Sequence, residues 1–245
     1  MTSLREVEWQ ISYGPSDDRL NTFYIPALQR AVQYDRSTGF FSSSSLAVAG
    51  AGVAGLVANG GSMRLLVGAQ LSREDVDAIA RGASLEGIVT DKLITALDQP
   101  VEDLLRRRLE ILAWMIAHGT LQIKVVLPRD VNGLPIPAES AQDYYHPKEG
   151  LFTDAEGHQV AFSGSINESM TGWQRNYEQF SVYFSWDETY KYLAQVKARF
   201  DKVWDDRDQG WIGIDIPTAA RHALVNYAPA HAPEYDPLAA PPDDV

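Results

Sequence analysis

Apolar and polar residues alternate over 121–127 and again over 177–186, whereas apolar residues recur every three or four positions over 190–204. The chain therefore mixes strands with helices. Residues 1–18 are polar and mixed, with an edge strand expected around Val7 to Tyr13. From Asn21 to Gln33, Phe23, Tyr24, Ala27, Leu28, Ala31 and Val32 have helical spacing, with Pro26 tolerated in a first turn. A strand over 34–41 then runs into Ser42 to Ser45, which can cap a helix over Leu46 to Ala58. Asn59-Gly60-Gly61 stops that helix before a strand at Met63 to Gly68, so the segment reads as a β-α-β unit of a parallel sheet. Ser72 to Asp75 forms a capping box for a helix ending near Gly82. Asp98 and Pro100 open another, which carries Leu104, Leu105, Leu112, Met115 and Ile116 on one face and ends at Gly119. Leu121 to Leu127 is a strand leading into a proline-rich loop at 128–140. Tyr177 to Trp186 is a further strand, and Ser185 to Glu188 forms a capping box for a helix through Trp204 with a buried stripe of Tyr190, Leu193, Val196, Phe200 and Trp204. Beyond Asp205 the pattern degrades, and Pro229 to Val245 carries five prolines. The expected organisation is one α/β domain over 1–206 and a C-terminal extension over 207–245 ending in a linker or tail, to which something further was once joined.

The stretch from Asp143 to Glu178 carries the candidate chemistry. Two apolar-leaning runs, Tyr144 to Thr153 and Gln159 to Asn167, flank the polar Asp154-Ala155-Glu156-Gly157, which predicts an antiparallel hairpin. A two-residue loop at Glu156-Gly157 would set His146 opposite Asn167 and Lys148 opposite Ser165. Residues two apart on a strand share a face, and so do directly opposed residues. An imidazole, an ammonium, a hydroxyl and an amide would then meet on one patch, giving one nucleophile and three groups suited to holding an oxyanion.

His146-Pro147-Lys148 followed by Gly164-Ser165-Ile166-Asn167 resembles the H-x-K…G-S-x-N signature of the phospholipase D superfamily, and Asn176 and Glu178 sit where many members carry N-x-E. The string Thr38-Gly39-Phe40-Phe41-Ser42 also looks like the first sheet strand of phospholipase D-like domains attached to bacterial helicases. One departure stands out: members with the full motif carry an Asp where this chain has Thr153, and the nearest acid, Asp154, falls one position late. The resemblance implies a phospholipase D-like mixed sheet flanked by helices, with one motif copy per chain. It implies phosphodiester cleavage without a metal, through a covalent phosphohistidine. His146 would be nucleophile or acid, Lys148 and Asn167 would grip the phosphoryl oxygens, Ser165 would back them, and Glu178 would fix the imidazole tautomer. His118, His158, His222 and His231 have no Lys two places on. The second catalytic His is therefore expected from another copy, in a homodimer with both hairpins at the two-fold axis.

Composition narrows the partners. At 245 residues the chain can bury a full core, and without cysteines it excludes disulfides and thiolate metal sites, in keeping with a cytoplasmic protein. No H-x-x-x-H or H-x-H spacing exists, so no metal or other cofactor is expected, and no apolar run is long enough for a membrane span. The net charge of -12 argues against a protein that coats nucleic acid, so any contact with DNA must be local. Gly50, Gly52 and Gly55 lack phosphate-loop order and suit close helix packing; Arg106 to Arg108 fan around a helix as a solvated face; His118 suits a helix C-terminus. Trp173, beside Arg175, is the tryptophan held open for nucleic acid.

Three functions follow for comparison. The first is a DNA-cleaving nuclease of bacterial restriction or phage defence. The second is a non-catalytic DNA-binding and dimerising module of a fused or partner helicase, favoured by Thr153 and the acidic balance. The third is lipid hydrolysis, disfavoured by the single motif copy and the want of a lipid-facing amphipathic helix.

Overall fold

The computed structural model describes residues 3–39, 50–68, 114–137, 140–166 and 177–215. Its strands are β1 (Ser12–Tyr13), β2 (Ala31–Thr38), β3 (Ser62–Gly68), β4 (Leu121–Pro128), β5 (Lys148–Asp154), β6 (Gln159–Gly164), β7 (Phe180–Phe184) and β8 (Trp211–Asp215). They form one sheet in the order β1-β7-β6-β5-β2-β3-β4-β8. β2, β3 and β4 run parallel, and the remaining pairs are antiparallel. This is the α/β mixed sheet flanked by helices that the sequence predicts.

Each face is covered by helices. On one face α1 (Ile25–Arg30) and α2 (Gly50–Ala58) pack Ala27, Leu28, Val53 and Leu56 over Tyr34, Leu65, Phe152 and Phe162. On the other, α3 (Tyr190–Trp204) lays Leu193 and Val196 on Leu151 and Ala161, and Phe200 and Val203 on Leu66 and Val126. The buried stripe of α3 thus includes Val203, while Tyr190 is exposed and Trp204 half-buried.

The β2-α2-β3 unit and the Gly119 stop are as the sequence predicts; Gly60 and Gly119 take left-handed backbone at φ 68° and 70° after their helices. Among the described residues no helix is long and apolar enough to cross a membrane. The expected helices over 72–82 and 98–113, the serines 42–45, Arg106 to Arg108, Trp173, Arg175, Asn176 and the C-terminal tail lie outside the described residues.

Four expectations are corrected. The helix expected over 21–33 is a π-turn at Leu20–Tyr24 followed by α1, and Ala31 to Gln33 belong to β2, where an irregularity between Ala31 and Gln33 lets Ala31 and Tyr34, three residues apart, both be buried in the core under the helices. The capping box at 185–188 is not used: α3 starts at Tyr190, and the Ser185 hydroxyl accepts the Gln159 amide at 2.9 Å, tying β6 to the end of β7. After Asp205, where no element was expected, β8 closes the sheet edge against β4. The fourth correction bears on the site. The hairpin pairs Thr153 with Gln159 and Glu149 with Ser163, one residue away from the expected register. The connection has three residues rather than two, with Gly157 at φ 86°, as in hairpins whose type I turn ends in a left-handed bulge residue. A one-residue shift exchanges the faces. Lys148 is therefore level with Gly164 rather than Ser165.

Candidate active site

The candidate residues lie at the carboxyl ends of the parallel strands, where open α/β sheets bind their ligands. The segment 144–146 crosses these ends at two glycines. A Cβ on Gly39, the residue after β2, would stand 2.6 Å from His146 Cγ and 2.8 Å from His146 Cα. One on Gly68, which ends β3, would strike the Tyr145 carbonyl oxygen. Both glycines are thus required by close approach of the chain rather than by their dihedral angles. The Tyr145 hydroxyl donates to Ser37 Oγ at 3.1 Å, and its ring meets Trp211 of β8 at 5.5 Å, edge to face. Burial pushes this phenol up to about 12, so it stays neutral and anchors the segment.

His146 follows directly and is exposed. Lys148 begins β5 opposite Thr38, and its Nζ stands 2.8 Å from His146 Nδ1 and 3.1 Å from Nε2. A cation this close to the ring opposes a second positive charge on it, so the contact disfavours protonation of the imidazole. The electrostatics agree. Desolvation first, then the Lys148 charge, lower the His146 pKa from its ordinary 6.5. Lys148 is itself lowered, by desolvation and by the Arg36 charge, against the opposing pull of the Glu178 carboxylate. Tyr144 lies exposed against the imidazole with ring centres 5.1 Å apart.

The structure brings His146, Lys148 and Glu178 into one electrostatic neighbourhood. Glu178 is buried, and its backbone carbonyl accepts from buried Arg19 at 2.9 Å. Ser165 is not set beside Lys148. It is exposed just past β6, where its hydroxyl accepts the Gln179 amide at 3.0 Å and holds the end of the hairpin to the residue before β7. Asn167 lies outside the described residues. Thr153 is half-buried, and its hydroxyl accepts Gln159 Nε2 at 3.1 Å. Asp154 points elsewhere, bonded to Ser3, Leu4, Glu156 and His158 at the far end of the hairpin. No acid therefore takes the place of the motif Asp at 153. Among the described residues no group of three His, Asp or Glu side chains is arranged to hold a metal.

One contributor escaped the sequence reading. Arg36, in the middle of β2, is fully buried on the Lys148 face of the sheet. Arg36 sits in the polar run Asp35 to Thr38, which carries no periodic signal of burial, and only the register of β2 against β5 shows where it points.

No family model matches the sequence, and no curated protein matches it. Solved structures do resemble the fold. NucT from Helicobacter pylori is 13% identical with a TM-score of 0.44, the match covering 83% of this chain and 97% of that one. Nuc from Salmonella typhimurium, a phospholipase D family member, is 11% identical with a TM-score of 0.43, over 83% of this chain and 95% of that one. Phosphatidylserine synthase from Haemophilus influenzae is 16% identical with a TM-score of 0.43, over 87% of this chain and 43% of its own.

Proposed function

We propose that the protein is a metal-independent phosphodiesterase that cleaves DNA, with His146 as nucleophile. The observation that carries this reading is the His146–Lys148 pair, an imidazole whose pKa is lowered and an ammonium 2.8 Å from it, at the carboxyl ends of the parallel strands. A neutral ring nitrogen has the lone pair that attack on phosphorus needs, and the adjacent cation offsets charge that grows on the phosphoryl oxygens.

The reaction balances without a metal. The His146 nitrogen bonds to phosphorus and the bond to the leaving alkoxide breaks, the alkoxide taking a proton from a second imidazole. Water then attacks phosphorus, giving its proton to the second imidazole and so restoring it, while the P–N bond breaks and His146 is released. Lys148 and Asn167 hold the phosphoryl oxygens, Ser165 keeps the end of β6 against residue 179, and Glu178 orients the imidazole. A single H-x-K per chain makes a homodimer the natural source of the second His. The helicase-like Thr38-Gly39-Phe40-Phe41 string supports a role in bacterial restriction or phage defence, with a fused or partner helicase and a cytoplasmic setting.

The test is cleavage of DNA in EDTA, abolished by His146→Ala, with the particle mass determined on the same sample. Activity that requires added Mg²⁺, or full activity in a monomer, would overturn it. A second reading, a DNA-binding module without catalysis, draws support from Thr153, which leaves the motif acid unreplaced. It predicts DNA retention lost in Lys148→Ala, with no strand scission.

A further inference from the structure

The buried cation on the Lys148 face is unused by the chemistry above, which a guanidinium without solvent contact cannot join directly. Its surroundings are built to receive it. Gly150, opposite Arg36 on β5, has no side chain, and a Cβ there would run into the Phe162 ring, standing 2.6 Å from Cζ. The ring is thereby free to lean over β5, and Arg36 Cζ lies 5.0 Å above its centre, a cation on an aromatic face. From this platform Arg36 reaches over two strands: Nη2 donates to the Ile166 carbonyl at 2.8 Å, while Nη1 donates to the Ser37 carbonyl at 3.2 Å. Ile166 is fully buried and immediately precedes Asn167. Thr38, two residues along β2 from Arg36, pairs with Lys148, so the guanidinium stands behind the ammonium on the same face.

We infer that Arg36 is a positioning residue for this site: it fixes the backbone from which Asn167 departs and sets a second, buried positive charge behind Lys148. The inference rests on the reading of His146 and Lys148 as the reacting pair. Two separate effects follow. The Ile166 bond holds the hairpin end in place, and misplacement of a reacting group by about 1 Å can cost on the order of 100-fold in rate. The charge acts through space on Lys148, which also faces the opposing Glu178 carboxylate and touches the His146 ring. Apolar packing alone would supply neither effect.

The experiment compares Arg36→Met and Arg36→Lys with wild type, using protein labelled at the lysine ε-carbons so that Lys148 is titrated by NMR, alongside cleavage kinetics in EDTA. Arg36→Met is expected to raise the Lys148 midpoint and to lower kcat about 100-fold, with little change in KM because Arg36 does not touch DNA. Arg36→Lys, which keeps a cation, is expected to recover part of kcat. A folded Arg36→Met protein with wild-type kcat and an unmoved Lys148 midpoint would overturn the inference. If Arg36→Met fails to fold, Arg36→Gln, which retains an N–H donor without the charge, is judged by the same two readouts. If wild type does not cleave DNA at all, the nuclease reading fails, and the Lys148 titration still decides whether Arg36 acts on it.

Discussion

Asp154→Asn is expected to destabilise the fold by about 2–3 kcal/mol while leaving the chemistry untouched. The carboxylate is buried at the turn of the hairpin. Its Oδ2 accepts Ser3 Oγ at 2.8 Å and the Leu4 amide at 2.9 Å, and its Oδ1 accepts the amides of Glu156 and His158 at 2.9 Å each. An asparagine can offer its one oxygen to only one of these pairs, and turns an NH₂ toward the donors of the other. The Glu156 and His158 amides sit on an accessible turn where water can replace the lost acceptor, so the amide oxygen will favour the buried side and the turn will loosen. A hydrogen bond to a charged acceptor contributes about 1.5–3 kcal/mol, and partial rehydration keeps the loss near the value of one such bond. Urea unfolding at pH 7 measures it. The pH dependence supplies an independent check. Burial pushes the Asp154 pKa up, but its bonds to Leu4, Ser3, His158 and Glu156 outweigh that and hold it below the ordinary 3.8. A depressed folded-state pKa contributes stability that is fully present above the unfolded value and is lost as pH falls through the folded one. The gap between wild type and Asp154→Asn must therefore narrow as the pH is lowered below 3.8. A variant within about 0.5 kcal/mol of wild type at pH 7, or one whose kcat collapses at temperatures where it is folded, would show that Asp154 belongs to the site rather than to the turn.

The remaining predictions concern the site itself. In the proposed reaction the attacking imidazole is neutral, and in the free protein its pKa is depressed, so kcat/KM is lost on acidification through a midpoint below 6.5; an acid limb above 6.5 in a kcat/KM–pH profile would refute the assignment. Lys148→Ala removes a neighbouring positive charge and must move the His146 midpoint upward by NMR titration, whatever its effect on turnover. The same variant should weaken DNA retention and lower the slope of log K against log[salt] by about 0.7–0.9, one phosphate contact. Gly39→Ala thrusts a methyl into His146 Cγ and Cα and should cut kcat on the order of 100-fold without loss of the sheet's circular dichroism; undiminished turnover would deny His146 its place.

How far the sequence could be read depended on whether a signal was periodic. β4, β7 and α3 are legible because their apolar residues repeat with the period of the element, and β3 because it is a compact apolar run set off by Asn59-Gly60-Gly61. The hairpin was legible as a hairpin, but its register was not. Asp154-Ala155-Glu156-Gly157 is compatible with two- and three-residue loops, and only the left-handed Gly157 decides between them. That choice moves every side chain of β6 relative to β5 and separates Ser165 from Lys148. His146 and Lys148 come together whatever the hairpin register, because they are two residues apart in the chain, His146 in the segment that leads into β5 and Lys148 at its start. β8 is hidden by its brevity, and because the acids before it read as a solvated run although they are held in ion pairs, Asp208 with Lys202 at the end of α3 and Asp206 with distant Arg129.

Those ion pairs also resolve an apparent conflict between a net charge of -12 and the polyanionic substrate proposed above. Glu149 binds Arg199 of α3, Asp35 binds Arg64, and Asp201 is shared between Arg64 and Lys197. Strand alternation puts Glu149 and Asp35 on the α3 face of the sheet, whereas Arg36, Thr38, Lys148 and Gly150 point to the opposite face. The described acids of that layer are thus largely matched with cations, and the sheet stands between them and the site. Screening at physiological salt removes most of what remains beyond roughly 8 Å, so an approaching phosphate responds to the charges it meets locally. Among the described residues these include Lys148, the buried Arg36 behind it and the opposing Glu178 carboxylate. Net charge governs long-range approach and lowers non-specific affinity; the sign of the site is set by which strand positions carry the cations.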